Sequence, residues 1–378
     1  MIRDSIKHQL NRGIYTDGAN YSFDIMTIVK GLPKFSFSVD MLNPKFKPGQ
    51  YTAPFNEIRF ADFKQFVPDK YKSILLRKEH IPGSYNDFLQ LLKKTLENVI
   101  LNRMNETDKY IFFHSAGYDS RIISAAMAQV RDSGKLSMRN VHFRCHQPEC
   151  EGFYKIMEAE GWPKDQYSCW EGPAEDYYDI GRSDVCVQGW VPFNQQMNFW
   201  SDMISKDQER DWICIAGLGG EMYKYWAAKI KPVFHECANP LLNLLIDHYP
   251  HHGQWENQWA LRFKDILLPM WDYDYLYNLS HVNLKYLTSV GRDGGDNIRV
   301  DLCKLYPYSF QSVPHGEHGY SWNISAKRRK EIQDLFYGGT FYKHYGKHIP
   351  AKINFAEKLY GWEAKLWSVA VTIYDKLI

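Results

Sequence analysis

Within this 378-residue chain, the stretch Ser115-Ala116-Gly117-Tyr118-Asp119-Ser120 has the residue types best suited to chemistry. Ala116 and Gly117 are small enough to let a phosphate approach the backbone, and Ser115 and Ser120 add hydroxyl donors. Asp119 alone is a poor phosphate neighbour. It makes sense there as the holder of a Mg²⁺ ion that bridges phosphate oxygens. The plain alternative is a capped helix, because Asp and Ser are ordinary helix caps and small residues are ordinary in turns.

The surrounding pattern says how such a loop would be held. Tyr110-Ile111-Phe112-Phe113 reads as a buried strand, and Arg121–Val130 as a helix rich in Ala and Ile. Strand and helix signals then alternate. Val141-His142-Phe143 is a strand, Glu151–Glu160 a helix, Tyr167-Ser168-Cys169-Trp170 a strand and Trp212–Ala216 another. The last is followed by Gly217-Leu218-Gly219-Gly220 and a helix from Glu221. This alternation predicts an α/β fold with a parallel sheet covered by helices on both faces. Ligands of such sheets bind at the carboxyl ends of strands, and a helix N-terminus there favours anions. Upstream, residues 1–82 read as a small N-terminal β-containing domain. Pro82-Gly83-Ser84 marks its end, with Ser84 as cap of a helix carrying Phe88, Leu89, Leu92, Leu96, Ile100 and Leu101 at helical spacing. From about residue 238 the reading is mostly helical, ending in a long helix over about 355–377.

The loop Ser115–Ser120 resembles the Ser-Gly-Gly-X-Asp-Ser signature of the PP-loop ATP pyrophosphatases, which cleave ATP between its α and β phosphates. Ile215-Ala216-Gly217-Leu218-Gly219-Gly220-Glu221 is similar to the second motif of the asparagine synthetase synthase domain, at about the family's spacing. Ile349-Pro350-Ala351-Lys352-Ile353-Asn354-Phe355 resembles the family segment whose Lys contacts the α-phosphate and pyrophosphate. The resemblance spans roughly residues 84–375 and implies a Rossmann-like PP-loop domain over 83–378. It implies ATP and Mg²⁺ as cofactors, Asp119 and Glu221 sharing the metal, and Lys352 as catalytic cation, with Lys343 and Lys347 as rivals. ATP and pyrophosphate would rest on Ser115, Ala116, Gly117, Tyr118, Asp119, Ser120, Gly217, Gly219 and Gly220, with the Phe143 strand framing adenine. The implied activity is an AMP- and pyrophosphate-forming ligase that adenylates a carboxylate for amide bond formation. Ala116 stands where the family has Gly, Glu221 where it has Asp, and Leu218 where it has an acid or a catalytic Tyr. The acyl substrate and the nitrogen donor are therefore left open. Arg292-Asp293-Gly294-Gly295-Asp296-Asn297 looks like the second motif as text, but it follows no apolar strand and reads as a loop.

Glutamine-dependent members carry a Cys immediately after the initiator Met. Here Ile2 occupies that position and no Cys precedes Cys145. Residues 1–82 would then be the vestige of an amidotransferase domain, and nitrogen would come from ammonia, a partner glutaminase or an amine acceptor. The alternatives are a PP-loop enzyme that modifies a nucleic-acid base and a catalytically silent descendant used for binding.

Charge balance adds little for nucleic acid. Lys and Arg number 46 against 44 Asp and Glu, a net charge of +2. Lys327-Arg328-Arg329-Lys330 reads as a solvated helix face, with contact to a polyanion as the sharper alternative. No run approaches membrane-spanning length and no secretory leader is seen, so the expectation is a cytoplasmic protein. The seven scattered cysteines accordingly read as reduced thiols. His142, Cys145, His146 and Cys150 crowd together without standard zinc spacing. The Tyr360, Trp362, Trp367 and Tyr374 stripe reads as core.

Overall fold

The computed structural model describes residues 8, 14–22, 25–42, 55–61, 69–72, 83–146, 149–170, 211–217, 263–279, 297–308, 313, 326–349, 366, 370 and 374–375. Its centre is a five-stranded, wholly parallel sheet. Ahead of it, β1 (Tyr15–Thr16) pairs antiparallel with β2 (Tyr21–Ser22) and β3 (Arg59–Phe60), with helix α1 (Ile25–Gly31) between β2 and β3 and the short α2 (Asp69–Lys72) following β3. The 14–61 stretch is not self-contained. Phe37 packs edge-on against Phe341 with ring centres 5.0 Å apart, and Phe35 reaches Tyr374.

Helix α3 (Tyr85–Arg103) starts as the sequence predicts. The Ser84 hydroxyl accepts from the Asp87 N–H at 3.2 Å, and the Asp87 carboxylate accepts from the Ser84 N–H at 2.9 Å. This reciprocal box satisfies two N-terminal amides. Phe88, Leu89, Leu92, Leu96, Val99 and Ile100 form its buried face.

Strand β4 (Lys109–Phe113) follows, then α4 (Tyr118–Asp132), β5 (Val141–His146), α5 (Cys150–Ala159), β6 (Tyr167–Trp170) and β7 (Trp212–Ala216). Tyr110, Ile111, Phe112 and Phe113 are all buried, so both faces of β4 are covered. The strand order is β6-β5-β4-β7-β8, where β8 is Asp265–Leu267. That last strand is an addition to the sequence reading, in which the region beyond residue 238 is mostly helical; the other elements described there are helices. Three residues ending in Ile-Leu carry too little period to separate a buried strand from a helix turn. Its place is set instead by pairing Ile213, Cys214 and Ile215 with Asp265, Ile266 and Leu267. Helices α6 (Tyr273–Leu279) and α7 (Asn297–Lys304) pack on α3, and α7 also packs on α4. Helices α8 (Ala326–Gly338) and α9 (Thr340–Tyr345) follow.

The cysteine expectation is corrected. Cys150, at the first turn of α5, and Cys169, in β6, are joined in a disulfide with their Cα atoms 5.7 Å apart. The physical reason is register: β6 lies beside β5 with Cys169 opposite Cys145, and α5 begins just beyond the end of β5. Cys145, Cys214 and Cys303 are buried and take part in no disulfide. No helix among the described residues is long and apolar enough to cross a membrane.

Candidate phosphate site at the end of β4

Strand β4 has β5 on one side and β7 on the other, so the sheet order reverses at β4. In open parallel sheets this switch point is where the crevice for a ligand opens. The Ser115–Ser120 segment leaves β4 there. It is not all turn, as the sequence reading has it, because α4 begins three residues early, at Tyr118. Asp119 and Ser120 therefore lie in the first helical turn. The capping residue is Gly117, which makes no side-chain cap. The ordinary capped-helix account of Asp119 and Ser120 thus does not describe this helix start. Gly117 has φ −73° and ψ 159°, a conformation open to any residue, so its backbone does not demand glycine.

The loop is braced from inside and from below. Ser115 Oγ lies 3.1 Å from Ser120 Oγ and accepts from the Gly117 N–H at 3.3 Å. Arg121 is completely buried; its Nε donates to the Ala116 carbonyl and its Nη1 to the Val313 carbonyl, both at 2.8 Å. Its guanidinium also lies 5.0 Å from the centre of the Tyr118 ring. Burial pushes the Arg121 pKa down from its usual range. Sequence reading passed over Arg121. Its signal was a charge heading a stretch in which Ser124 is the one polar residue as far as Ala128: Ile122, Ile123, Ala125, Ala126, Met127 and Ala128.

The two motif regions meet. Phe113 at the end of β4 pairs in register with Ala216 at the end of β7. The next residue, Gly217, presses on the start of α4. A Cβ placed on Gly217 would sit 2.8 Å from Ser120 Oγ and 3.0 Å from the Ser120 backbone nitrogen. Only a residue without a side chain allows this approach. Leu218, Gly219, Gly220, Glu221 and Lys352 lie outside the described residues, as does most of the Arg292–Asn297 stretch. Lys343 and Lys347 are exposed on α9 and the turn after it. Phe143 is fully buried, its ring 4.5 Å from that of Trp162 and 5.7 Å from that of Phe112, so it serves as core beneath the site.

Asp119 has a partner that sequence reading did not foresee. Arg299, two residues into α7, places Nη1 2.8 Å from Asp119 Oδ1 and 3.0 Å from Oδ2. The two side chains are 13 % and 19 % exposed, so the pair is largely withdrawn from water. Nothing in the sequence pattern links positions 180 apart; the contact exists because α7 packs on α4. A divalent ion wants several oxygen ligands, carboxylates foremost. Here both oxygens of Asp119 face a guanidinium. Among the described residues no group of three or more His, Cys, Asp or Glu is placed to hold a metal. Of the two residues expected to share the ion, Asp119 is thus paired with Arg299, and Glu221 lies outside the described residues.

Behind α4 lies a second polar cluster. His114 and Ser124 are fully shielded and Glu160 nearly so. His114 Nε2 is 3.0 Å from Ser124 Oγ, which is hydrogen-bonded to Glu160 Oε1 at 2.8 Å, while Trp162 Nε1 donates to Glu160 Oε2 at 2.7 Å. Burial, aided by the Arg121 charge, lowers the His114 pKa to about 3. Burial raises that of Glu160 to about 8. Both groups are thus neutral at pH 7. With no exposed atom to offer a substrate, the cluster ties α4 through Ser124 to His114 after β4 and to Glu160 after α5. No family model matches the chain, and no curated protein matches it.

Proposed function

We propose that the segment Ser115–Ser120 binds the phosphates of ATP, and that the chain is an ATP-dependent, AMP- and pyrophosphate-forming ligase that adenylates a small carboxylate. A nitrogen donor, free or delivered by a partner glutaminase, would then displace AMP to form an amide. The observation that carries this reading is the convergence of two motif regions at the switch point, where Gly217 seats against Ser120. The amides of a first helical turn have no acceptor within their own helix, and the N-terminal end of the helix dipole is positive. Ser115 and Ser120 add hydroxyls, and Arg121 fixes the Ala116 carbonyl so that the loop keeps its shape. Preorganised donors of this kind stabilise charge that develops as pyrophosphate leaves. Lys352, Gly219 and Gly220 enter the reading through their motif resemblance, Lys352 as the cation beside the α-phosphate. In this reading magnesium accompanies the nucleotide phosphates, and Glu221 enters as its candidate carboxylate through the motif resemblance alone.

The test is release of pyrophosphate from ATP by the purified chain, assayed against a panel of small carboxylates. Release that depends on one carboxylate supports the ligase; binding of ATP with no release under any condition overturns it. The second of those outcomes defines the alternative, a chain that binds nucleotide without turning it over. One observation favours that alternative: Arg299 holds Asp119, the residue expected to carry the metal. Modification of a nucleic-acid base has weaker support, from the exposed Lys327 and Lys330 on α8.

A further inference from the structure

The Asp119–Arg299 pair raises a question of charge. A carboxylate in the first turn of a helix is favoured by the dipole, but it opposes any phosphate that approaches the same amides. A divalent ion held by that carboxylate is the usual remedy. In this chain the carboxylate already has a cation. Arg299 Nη1 bridges both Asp119 oxygens, and α7 fixes Arg299 by packing on α3 and α4. Tyr85 Oη donates to Asp301 at 3.0 Å, which ties the same turn of α7 back to α3. The pair is therefore anchored from two helices.

Resting on the reading of this loop as the pyrophosphate end of a nucleotide site, we infer that Arg299 takes over the charge-neutralising role of a protein-bound divalent ion at Asp119. The loop then accepts the pyrophosphate group without a metal bound to Asp119. Arg299 acts on Asp119 and not on the phosphate, so it is a positioning residue. What matters is the summed charge at the pair: zero in the native protein, −1 in Arg299→Gln, +1 in Asp119→Asn, and zero again in the double variant.

The probe is inorganic pyrophosphate, titrated calorimetrically into the full chain, once in EDTA and once with excess Mg²⁺. Native protein should bind in EDTA with an affinity within about threefold of that in Mg²⁺. Arg299→Gln should lose at least about tenfold in EDTA, because Asp119 is left bare at the anion's side, and should regain most of it with Mg²⁺. The double variant Arg299→Gln with Asp119→Asn should return to within about threefold of native in EDTA. That recovery also guards against Arg299→Gln weakening binding only through misfolding. Three results overturn the inference. Native binding that appears only with Mg²⁺ would leave the loop as a nucleotide site but restore the metal at Asp119. A double variant as weak as Arg299→Gln would make Arg299 a direct phosphate ligand. Absence of binding in both conditions would remove the reading of the loop together with the inference.

Discussion

Two polar clusters flank the start of α4, and they solve the problem of burying charge in opposite ways. On the outer side Asp119 and Arg299 form an ion pair that is partly wet, and Ser115 remains half exposed. On the inner side His114 and Glu160 are sealed from water and hold neutral forms, one with its pKa lowered and the other with its pKa raised. Desolvating an ion costs far more than desolvating its neutral form, so groups in the sealed cluster shift their protonation instead. The difference separates roles. Of the two clusters, the outer one keeps its ion pair at the carboxyl end of the sheet, and the inner one ties α4 to the end of β4 and to Glu160.

The joint between β7 and α4 should show the largest effect. Gly217→Val places branched carbon against the Ser120 backbone, which cannot swing aside. We expect a loss of about 3 kcal/mol in unfolding free energy, read from denaturant titration. A loss under about 0.5 kcal/mol would mean that the two motif regions are not in contact in solution.

The inner cluster should reveal itself through pH. Glu160 has a folded pKa above its unfolded one, so its contribution is complete below about 4.5 and declines as pH rises towards about 8. His114 has a folded pKa below its unfolded one, so its contribution is complete above about 6.5 and declines as pH falls towards about 3. Between pH 6.5 and 8 Glu160 acts alone, with a limiting slope of about 1.4 kcal/mol per pH unit. Glu160→Gln should flatten this decline. An unchanged slope across that window would show that Glu160 does not hold its proton in the folded state.

A matched pair of serines sharpens the contrast. Ser124→Ala strips a shared partner from two buried groups and should cost about 1.5 kcal/mol. Ser115→Ala, at the half-exposed loop, should cost about 0.5 kcal/mol and weaken ATP binding instead. Equal stability losses in the two variants would erase the distinction between support and site.

Legibility in the sequence followed range. The cap at Ser84, the apolar strand at 110–113 and the strand at 212–216 all rest on local pattern, and each appears within a residue or so of its expected place. The start of α4 was misjudged because Gly117 caps by having no side chain, which leaves no polar signal to read. Strand β8 was missed because three residues carry no period, and the Cys150–Cys169 disulfide because it depends on the β5–β6 register. Arg299 was the most distant loss. Its partner lies 180 positions away, and only the packing of α7 on α4 brings them together.

The account stands most directly on ATP binding at the Ser115–Ser120 segment. Calorimetric titration of ATP into native protein and into Gly117→Val tests it, with thermal unfolding recorded for both. The Gly117 dihedrals suit valine, so the variant should unfold cooperatively, while its side chain obstructs phosphate at the backbone. We predict saturable binding to the native chain and at least about a tenfold loss in Gly117→Val, about 1.4 kcal/mol. Unchanged ATP affinity in a folded Gly117→Val would contradict the account and place the nucleotide elsewhere.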